Sequence, residues 1–187
     1  SRHKNLKLLP SVLAELRDAN DVALVLVGRR DAGAAAEFDA EVKARGLAGR
    51  VVTTGYLPRE DLTALMSGAA AFVLPSRYEG FGLPLAEAMA CGAPCIASAI
   101  PSLQEVGGDA SRYADPDEPA QFADQIDRLL RDPHARAELS SRGRERARNW
   151  SWRETARRTF EVYAQALGRA SAGLVDAAPV SRACLGA

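Results

Sequence analysis

The sequence is poor in the residues that announce a metal centre. It has two histidines, His3 and His134, far apart and without neighbours of ligand type. Its three cysteines, Cys91, Cys95 and Cys184, include no C-x-x-C pair; Cys91 and Cys95 flank Gly92-Ala93-Pro94 and read as small buried apolar side chains. Charge of one sign is not in excess, since Lys+Arg and Asp+Glu are 24 each, so no global field points to nucleic acid as a partner. No apolar run approaches the roughly 20 residues of a membrane span. No signal peptide opens the chain, and a cytoplasmic location is expected. Internal repeats, low-complexity blocks and a D-x-D motif at a strand end are also lacking. With 187 residues there is room for one sizeable α/β domain, not comfortably two.

What is present centres on Glu79-Gly80-Phe81-Gly82-Leu83-Pro84-Leu85-Ala86-Glu87. A helix opening at Pro84 would place proline where its missing N–H costs nothing. The amides of the glycine-rich loop before it then sit at a positive helix end, an arrangement that attracts phosphate. Glu79 precedes this anion seat and Glu87 lies about one turn inside the helix. Two carboxylates flanking an anion seat suit a phosphate-bearing sugar, because vicinal hydroxyls donate to carboxylates. The apolar run Ala70-Ala71-Phe72-Val73-Leu74 reads as a buried parallel strand, which puts the loop beyond a strand's carboxyl end, where open α/β sheets bind ligands.

Along the chain, Ser1 to Asn5 enter abruptly, as in a cut chain. A helix is expected over about 7–17, a fully buried strand over 22–27, a helix over 33–45, a strand over 50–54 and a helix over 59–68. The strand at 70–74, a helix at 84–91 and a strand at 94–97 follow. The remainder reads as helical, over 119–131, 133–148 and 152–167. Alternation at this spacing implies βαβ units: a Rossmann-like, doubly wound parallel α/β sheet with helices on both faces. Residues 169–187 lack a sustained period and read as a disordered tail.

With these elements in order, the chain resembles the C-terminal, donor-binding domain of family 4 retaining glycosyltransferases of the GT-B fold, bacterial mannosyltransferases among them. The resemblance covers about residues 3 to 168. It rests on Lys4-Asn5, Leu26-Val27-Gly28, Gly55-Tyr56-Leu57, the two-glutamate segment, Ala97-Ser98 with Leu103-Gln104-Glu105-Val106, Asp115-Pro116 and Trp150-Ser151-Trp152. It implies that Glu87 binds the ribose of a nucleotide-sugar donor and that Glu79 meets hydroxyls of the transferred sugar. Backbone around Gly80, Phe81, Gly82 and Leu83 would hold the sugar and diphosphate. Lys4 would neutralise the pyrophosphate as the nucleotide departs. The family's arginine five residues before this lysine would precede Ser1, and Arg2 is not its match. Gly28, Tyr56 and Leu57 read equally as base contacts and as plain strand exits, with Ser98 near the same mouth and Glu105 as a turn cap.

The implied donor is GDP-mannose first, with UDP- and dTDP-sugars close behind, and no metal or other cofactor is expected. The acceptor-binding N-terminal domain of the full-length enzyme has no counterpart here, so the chain alone is expected to bind donor weakly and turn over negligibly. A GT-B-fold epimerase and a non-catalytic nucleotide-sugar binding module are the rival readings. On the last helix Trp152, Ala156, Phe160, Tyr163 and Leu167 form an apolar stripe. Arg142, Arg144, Arg146, Arg148, Arg153, Arg157 and Arg158 make this end basic. A solvated face laced with ion pairs is the favoured reading; peripheral contact with an anionic membrane face is the other.

Overall fold

A computed structural model of the chain describes residues 2–16 and 21–167. The expected helix end at Arg17, the tail at 169–187 and Cys184 lie outside the described residues. The chain divides into two compact units, Ser1–Asn149 and Trp150–Ala187.

In the first unit two 3₁₀ turns, Arg2–Lys4 and Leu6–Leu8, lead into α1 (Leu9–Glu15). Then come β1 (Leu24–Val27), α2 (Ala32–Ala44), β2 (Val51–Gly55), α3 (Arg59–Gly68), β3 (Phe72–Leu74) and α4 (Leu83–Cys91). β4 (Cys95–Ser98), α5 (Pro101–Gly107), β5 (Ser111–Ala114), α6 (Pro119–Arg131) and α7 (Pro133–Ala147) complete it. Proline stands in the first turn of α1, α4, α5, α6 and α7, where no helical hydrogen bond is lost. Asp31 and Asp132 cap α2 and α7, their carboxylates accepting from Ala34 N–H and Ala135 N–H at 2.9 Å.

Every strand pair is parallel. β1 pairs with β2, and β3, β4 and β5 pair in that order, so hydrogen bonding forms two sheets. The segments entering β1 and β3, Asp21–Ala23 and Gly68–Ala70, line one groove. Both sheets therefore start from the same side, and all five strands run one way.

The alternation of side chains along β4 divides the core. Ile96 packs with α1, α2 and α6 through Leu13, Phe38 and Phe122, whereas its neighbours Cys95 and Ala97 pack with α3, α4 and α5 through Met66, Met89 and Leu103. Helices thus cover both faces, as the βαβ pattern predicts. Burial pushes the Cys95 thiol up to about 12, in keeping with a packing role.

Arginines of α7 finish neighbouring helices. Arg146 donates to Val106 O and Glu105 O at the end of α5, both at 2.6 Å, and Arg144 donates to Cys91 O at the end of α4 at 3.3 Å. Arg142 pairs with Asp109 and Glu138. Each of these guanidinium groups is occupied by protein.

Several expectations change. β1 is not fully buried: Val25 and Val27 are 40% and 41% exposed. α4 begins at Leu83, so Pro84 is its second residue, and α1 ends at Glu15 after a 3₁₀ start. The region after Ser98 is not wholly helical before 119, because β5 follows α5. Ser-Arg-Tyr-Ala has no apolar run and pairs on one side only, so the periodicity that marks an interior strand is missing. With β5 in place, Asp115-Pro116-Asp117 is a D-x-D tripeptide at a strand end, contrary to expectation.

The second unit contributes α8 (Trp152–Ala166). Ser151 caps it, its hydroxyl accepting from Glu154 N–H at 3.1 Å. Arg157 and Arg158 both pair with Glu154, and Arg157 also with Glu161. The arginine hydrogen bonds bring the Glu154 carboxyl down to about 2. Trp152, Tyr163 and Leu167 of the apolar stripe are exposed.

Candidate functional site

The site is built on a left-handed residue. Asn5 has φ 53° and is 2% exposed, between the two N-terminal 3₁₀ turns. Asparagine tolerates this conformation because its short amide finds local partners. Its Nδ2 donates to Pro116 O at 2.7 Å, and its Oδ1 accepts from Arg77 Nε at 3.3 Å. Arg77 N–H donates to His3 O at 2.8 Å, and the Arg77 guanidinium pairs with Asp117. These bonds tie the first residues to the loop after β3 and to the turn after β5. The D-x-D carboxylates belong to this frame: Asp115 Oδ1 accepts from Asp117 N–H at 2.8 Å, and Asp117 holds Arg77.

The frame delivers Lys4 to Glu79. Lys4 Nζ donates to Glu79 Oε1 at 2.7 Å, and the buried Ser76 hydroxyl donates to the same oxygen at 2.7 Å. Burial pushes the Glu79 carboxyl up, but the hydrogen bonds from Lys4 and Ser76 and the charge of Lys4 outweigh it. The group is held below the usual carboxylate range. Glu79 is therefore a fixed anion, oriented before any ligand arrives.

The next turn is the glycine-rich loop at the start of α4. Gly82 caps α4 with φ 98°, and a Cβ placed there would meet Leu103 Cδ2 at 2.4 Å. Its carbonyl accepts from Leu85 N–H at 2.9 Å, which turns the chain into the helix. Phe81 and Leu83 are exposed, and Gly80 has open space around its Cα. Glu87 lies on the exposed side of α4. Cys91, one turn further, is pushed up by burial and by the Glu87 charge, with the Thr63 hydroxyl and Arg59 of α3 acting against this.

The other expected residues sit at further strand ends. Gly28, φ 109°, donates its N–H to Gly55 O at 2.7 Å, pinning the exits of β1 and β2 together. Tyr56 beyond them is 77% exposed and Leu57 half-buried. Ser98 ends β4, fully buried, and its hydroxyl has no hydrogen-bond partner among the described residues. Because all five strands run one way, Gly28, Tyr56, Leu57, Glu79, Gly80–Leu83 and Ser98 belong to the carboxyl-end side of the sheets. The structure joins Lys4 and Glu79 directly; among the described residues no hydrogen bond or ion pair links Glu87 or Ser98 to that pair. Sequence reading missed Ser76 and Arg77 as its organisers. Only their position in the loop between β3 and α4 could have suggested them.

Known proteins carry the same fold and sequence pattern. Relatives include the MMP alpha-(1->4)-mannosyltransferase of Mycolicibacterium hassiacum, 36% identical over 174 residues, 90% of this chain and 42% of that protein. Sucrose-phosphate synthase from Thermosynechococcus elongatus superposes with a TM-score of 0.81 at 32% identity, over 90% of this chain and 43% of that one. Anabaena HepE, solved in complex with UDP, matches with a TM-score of 0.72 at 26% identity, over 79% of this chain and 41% of that one. The chain thus spans less than half the length of these GT-B proteins. Residues 1–146 match the family described as glycosyl transferases group 1, and the chain belongs to that family.

Proposed function

We propose that this domain is the donor side of a retaining, family 4-like hexosyltransferase, binding a nucleotide-diphospho-sugar whose glycosyl group passes to an acceptor held by an N-terminal domain of the full-length enzyme. The observation that carries this reading is the Lys4–Glu79 pair, 2.7 Å long, immediately before a glycine-rich loop at the N-terminus of α4. A diphosphate needs positive potential without bulk, and the loop amides with the helix end supply it. Lys4 adds a mobile point charge. It can turn from Glu79 toward the bridging oxygen as negative charge develops there, and a donor fixed in place makes acceptor attack effectively unimolecular.

Glu79, released from Lys4 but still held by Ser76, then accepts from sugar hydroxyls, and Glu87 accepts from the ribose diol. Leaving-group charge is assigned to Lys4 and the amides rather than to a divalent cation, since the carboxylates after β5 are committed to the turn and to Arg77. GDP-mannose is the first donor proposed, supported by the mannosyltransferase relative. UDP-sugars come next, supported by the UDP bound to HepE.

The test is a thermal-shift and calorimetric screen of GDP, UDP, ADP and dTDP with their sugars, with magnesium and with EDTA, on the parent, Glu87→Ala and Lys4→Ala. One diphosphate family stabilising the parent equally with and without magnesium, and losing that effect in both variants, is the expected result. No shift with any nucleotide would overturn the reading.

A further inference from the structure

Aromatic side chains are scarce, 6% of the sequence, so the places where they stand exposed are informative. Of the four tyrosines, Tyr163 belongs to the second unit, and Tyr113 is built into the fold, its hydroxyl donating to Gly108 O at 2.8 Å. Tyr56 and Tyr78 are 77% and 71% exposed, and each lies in the segment that leaves the carboxyl end of a strand, β2 and β3. Ligands of open α/β sheets bind on that side. Tyr56 stands among the residues expected near a base, whereas Tyr78 has no part in the donor reading.

Tyr78 is distinguished by its mounting. Both of its neighbours are fixed: Arg77 N–H donates to His3 O at 2.8 Å and the Arg77 guanidinium is held by Asn5 and Asp117, while Glu79 Oε1 accepts from Lys4 Nζ and the Ser76 hydroxyl, both at 2.7 Å. Pro75 and Ser76 before them are buried. The backbone at Tyr78 is therefore set by bonds to the first residues, yet its hydroxyl has no hydrogen-bond partner among the described residues and its ring is left to solvent. A tyrosine ring on a fixed backbone has only two side-chain torsions to lose on binding. Phe81 and Leu83, 38% and 47% exposed, continue the apolar surface past Glu79 and Gly80. From Tyr78 to Leu83 the loop thus shows solvent apolar side chains on both sides of one oriented carboxylate.

That combination has a chemical counterpart. A pyranose is amphipathic: hydroxyls around its rim donate to a carboxylate, and the C–H groups of one face offer apolar area with slight positive charge to the electron-rich face of an aromatic ring. A phosphate makes no use of the ring, and a nucleobase stacks on it but offers Glu79 no row of hydroxyls. We propose that Tyr78 is a sugar-binding residue, its ring the platform on which the C–H face of a pyranose stacks beside Glu79. The inference rests on the donor reading above and adds to it a residue that selects for the sugar. The pyranose belongs either to the donor or to a separate saccharide, and experiment tells the two apart.

The 187-residue chain is titrated calorimetrically with GDP and with GDP-mannose, or with UDP and UDP-glucose where uridine is the nucleotide that binds, as parent, Tyr78→Ala, Tyr78→Leu and Tyr78→Phe. Methyl α-mannopyranoside is then titrated into each nucleotide-saturated protein and followed by NMR. Melting temperatures should match the parent, because the ring is exposed. In the donor case Tyr78→Ala and Tyr78→Leu weaken the nucleotide sugar about three- to tenfold, the worth of one ring contact, and leave the free nucleotide unchanged, while Tyr78→Phe binds as the parent does. In the separate-saccharide case the nucleotide sugar is unaffected and the methyl glycoside shows the same losses. No change with either sugar overturns the proposal. An equal loss for nucleotide and nucleotide sugar also overturns it, as does a leucine variant that binds like the parent or a phenylalanine variant as weak as alanine. A parent that binds no nucleotide overturns the donor reading and this inference with it; a parent that binds nucleotide while its sugar affinities ignore Tyr78 overturns this inference alone.

Discussion

Lys4 Nζ lies 2.7 Å from Glu79 Oε1, across 75 positions of sequence. The ammonium that would meet a diphosphate is already partnered, and the carboxylate that would meet a sugar is already aimed. A ligand must offer Lys4 an anion at least as good as Glu79. Replacing Lys4 by alanine should weaken nucleotide-diphosphate binding about 10- to 100-fold, the worth of one charge-assisted hydrogen bond. The ligand-free protein should lose well under about 1 kcal/mol, because the Lys4 side chain is 36% exposed and solvent screens the pair. Calorimetric titration and urea unfolding of the two proteins check both halves.

The same pair sets a pH dependence. Glu79 has a folded-state pKa below its ordinary 4.5, so between the two values the unfolded chain binds more protons than the folded one. Its contribution to stability is complete above about 4.5 and is lost as pH falls through the lower folded value. Urea unfolding of the parent should therefore weaken with acidification below that point more steeply than unfolding of Glu79→Gln. Parallel curves for the two proteins would contradict the assignment. Ser76→Ala, which removes one of the two donors to Oε1, should fall between them.

The glycines of the loop separate folding from binding. Gly82 has φ 98°, and a Cβ there would lie 2.4 Å from Leu103 Cδ2, so Gly82→Ala should destabilise the ligand-free protein by about 1–3 kcal/mol. Gly80 has nothing within 4 Å of a built Cβ. Gly80→Ala should unfold at the parent's urea midpoint, and if the loop seats a ligand it should still bind nucleotide more weakly. The pair of variants, measured by unfolding and by titration, distinguishes a structural glycine from one reserved for a close approach.

Arg146 reaches across from α7 to two carbonyls at the end of α5, both at 2.6 Å. Arg146→Ala leaves those acceptors with only water or nothing, which should cost about 1–3 kcal/mol in urea unfolding. Nucleotide binding should be unchanged, since the residue serves the packing of α5 rather than the loop after β3.

Much of this was legible in the residues themselves. Proline fixed the starts of α6 and α7 to the residue, and the apolar runs placed β1, β2, β3 and β4 within two positions. Glu79 and the glycine turn that opens α4 were readable from one contiguous segment. β5 was not, because a four-residue edge strand with serine and arginine carries no apolar period, and with it went the D-x-D turn. Lys4 came from resemblance alone: no local pattern says that a lysine near the N-terminus meets a glutamate 75 residues on. Ser76 escaped for the same reason, since its role exists only once the loop folds its hydroxyl over Oε1. The left-handed Asn5 that holds the first residues against this loop is likewise a tertiary decision, made by Pro116 and Arg77.

Ser98 offers the sharpest separation of structure from ligand. Its hydroxyl is fully buried at the end of β4 without a hydrogen-bond partner among the described residues, and an unpaired buried hydroxyl costs about 1–3 kcal/mol. Ser98→Ala removes that cost and only a small volume, so the ligand-free protein should be as stable as the parent or more so. If the hydroxyl is kept for a donor molecule at the mouth of the sheet, the same change should weaken nucleotide-sugar binding several-fold. A variant that melts higher yet titrates more weakly would identify Ser98 as a residue retained for the ligand at the expense of the fold. One that melts lower would mean that the hydroxyl satisfies something within the protein.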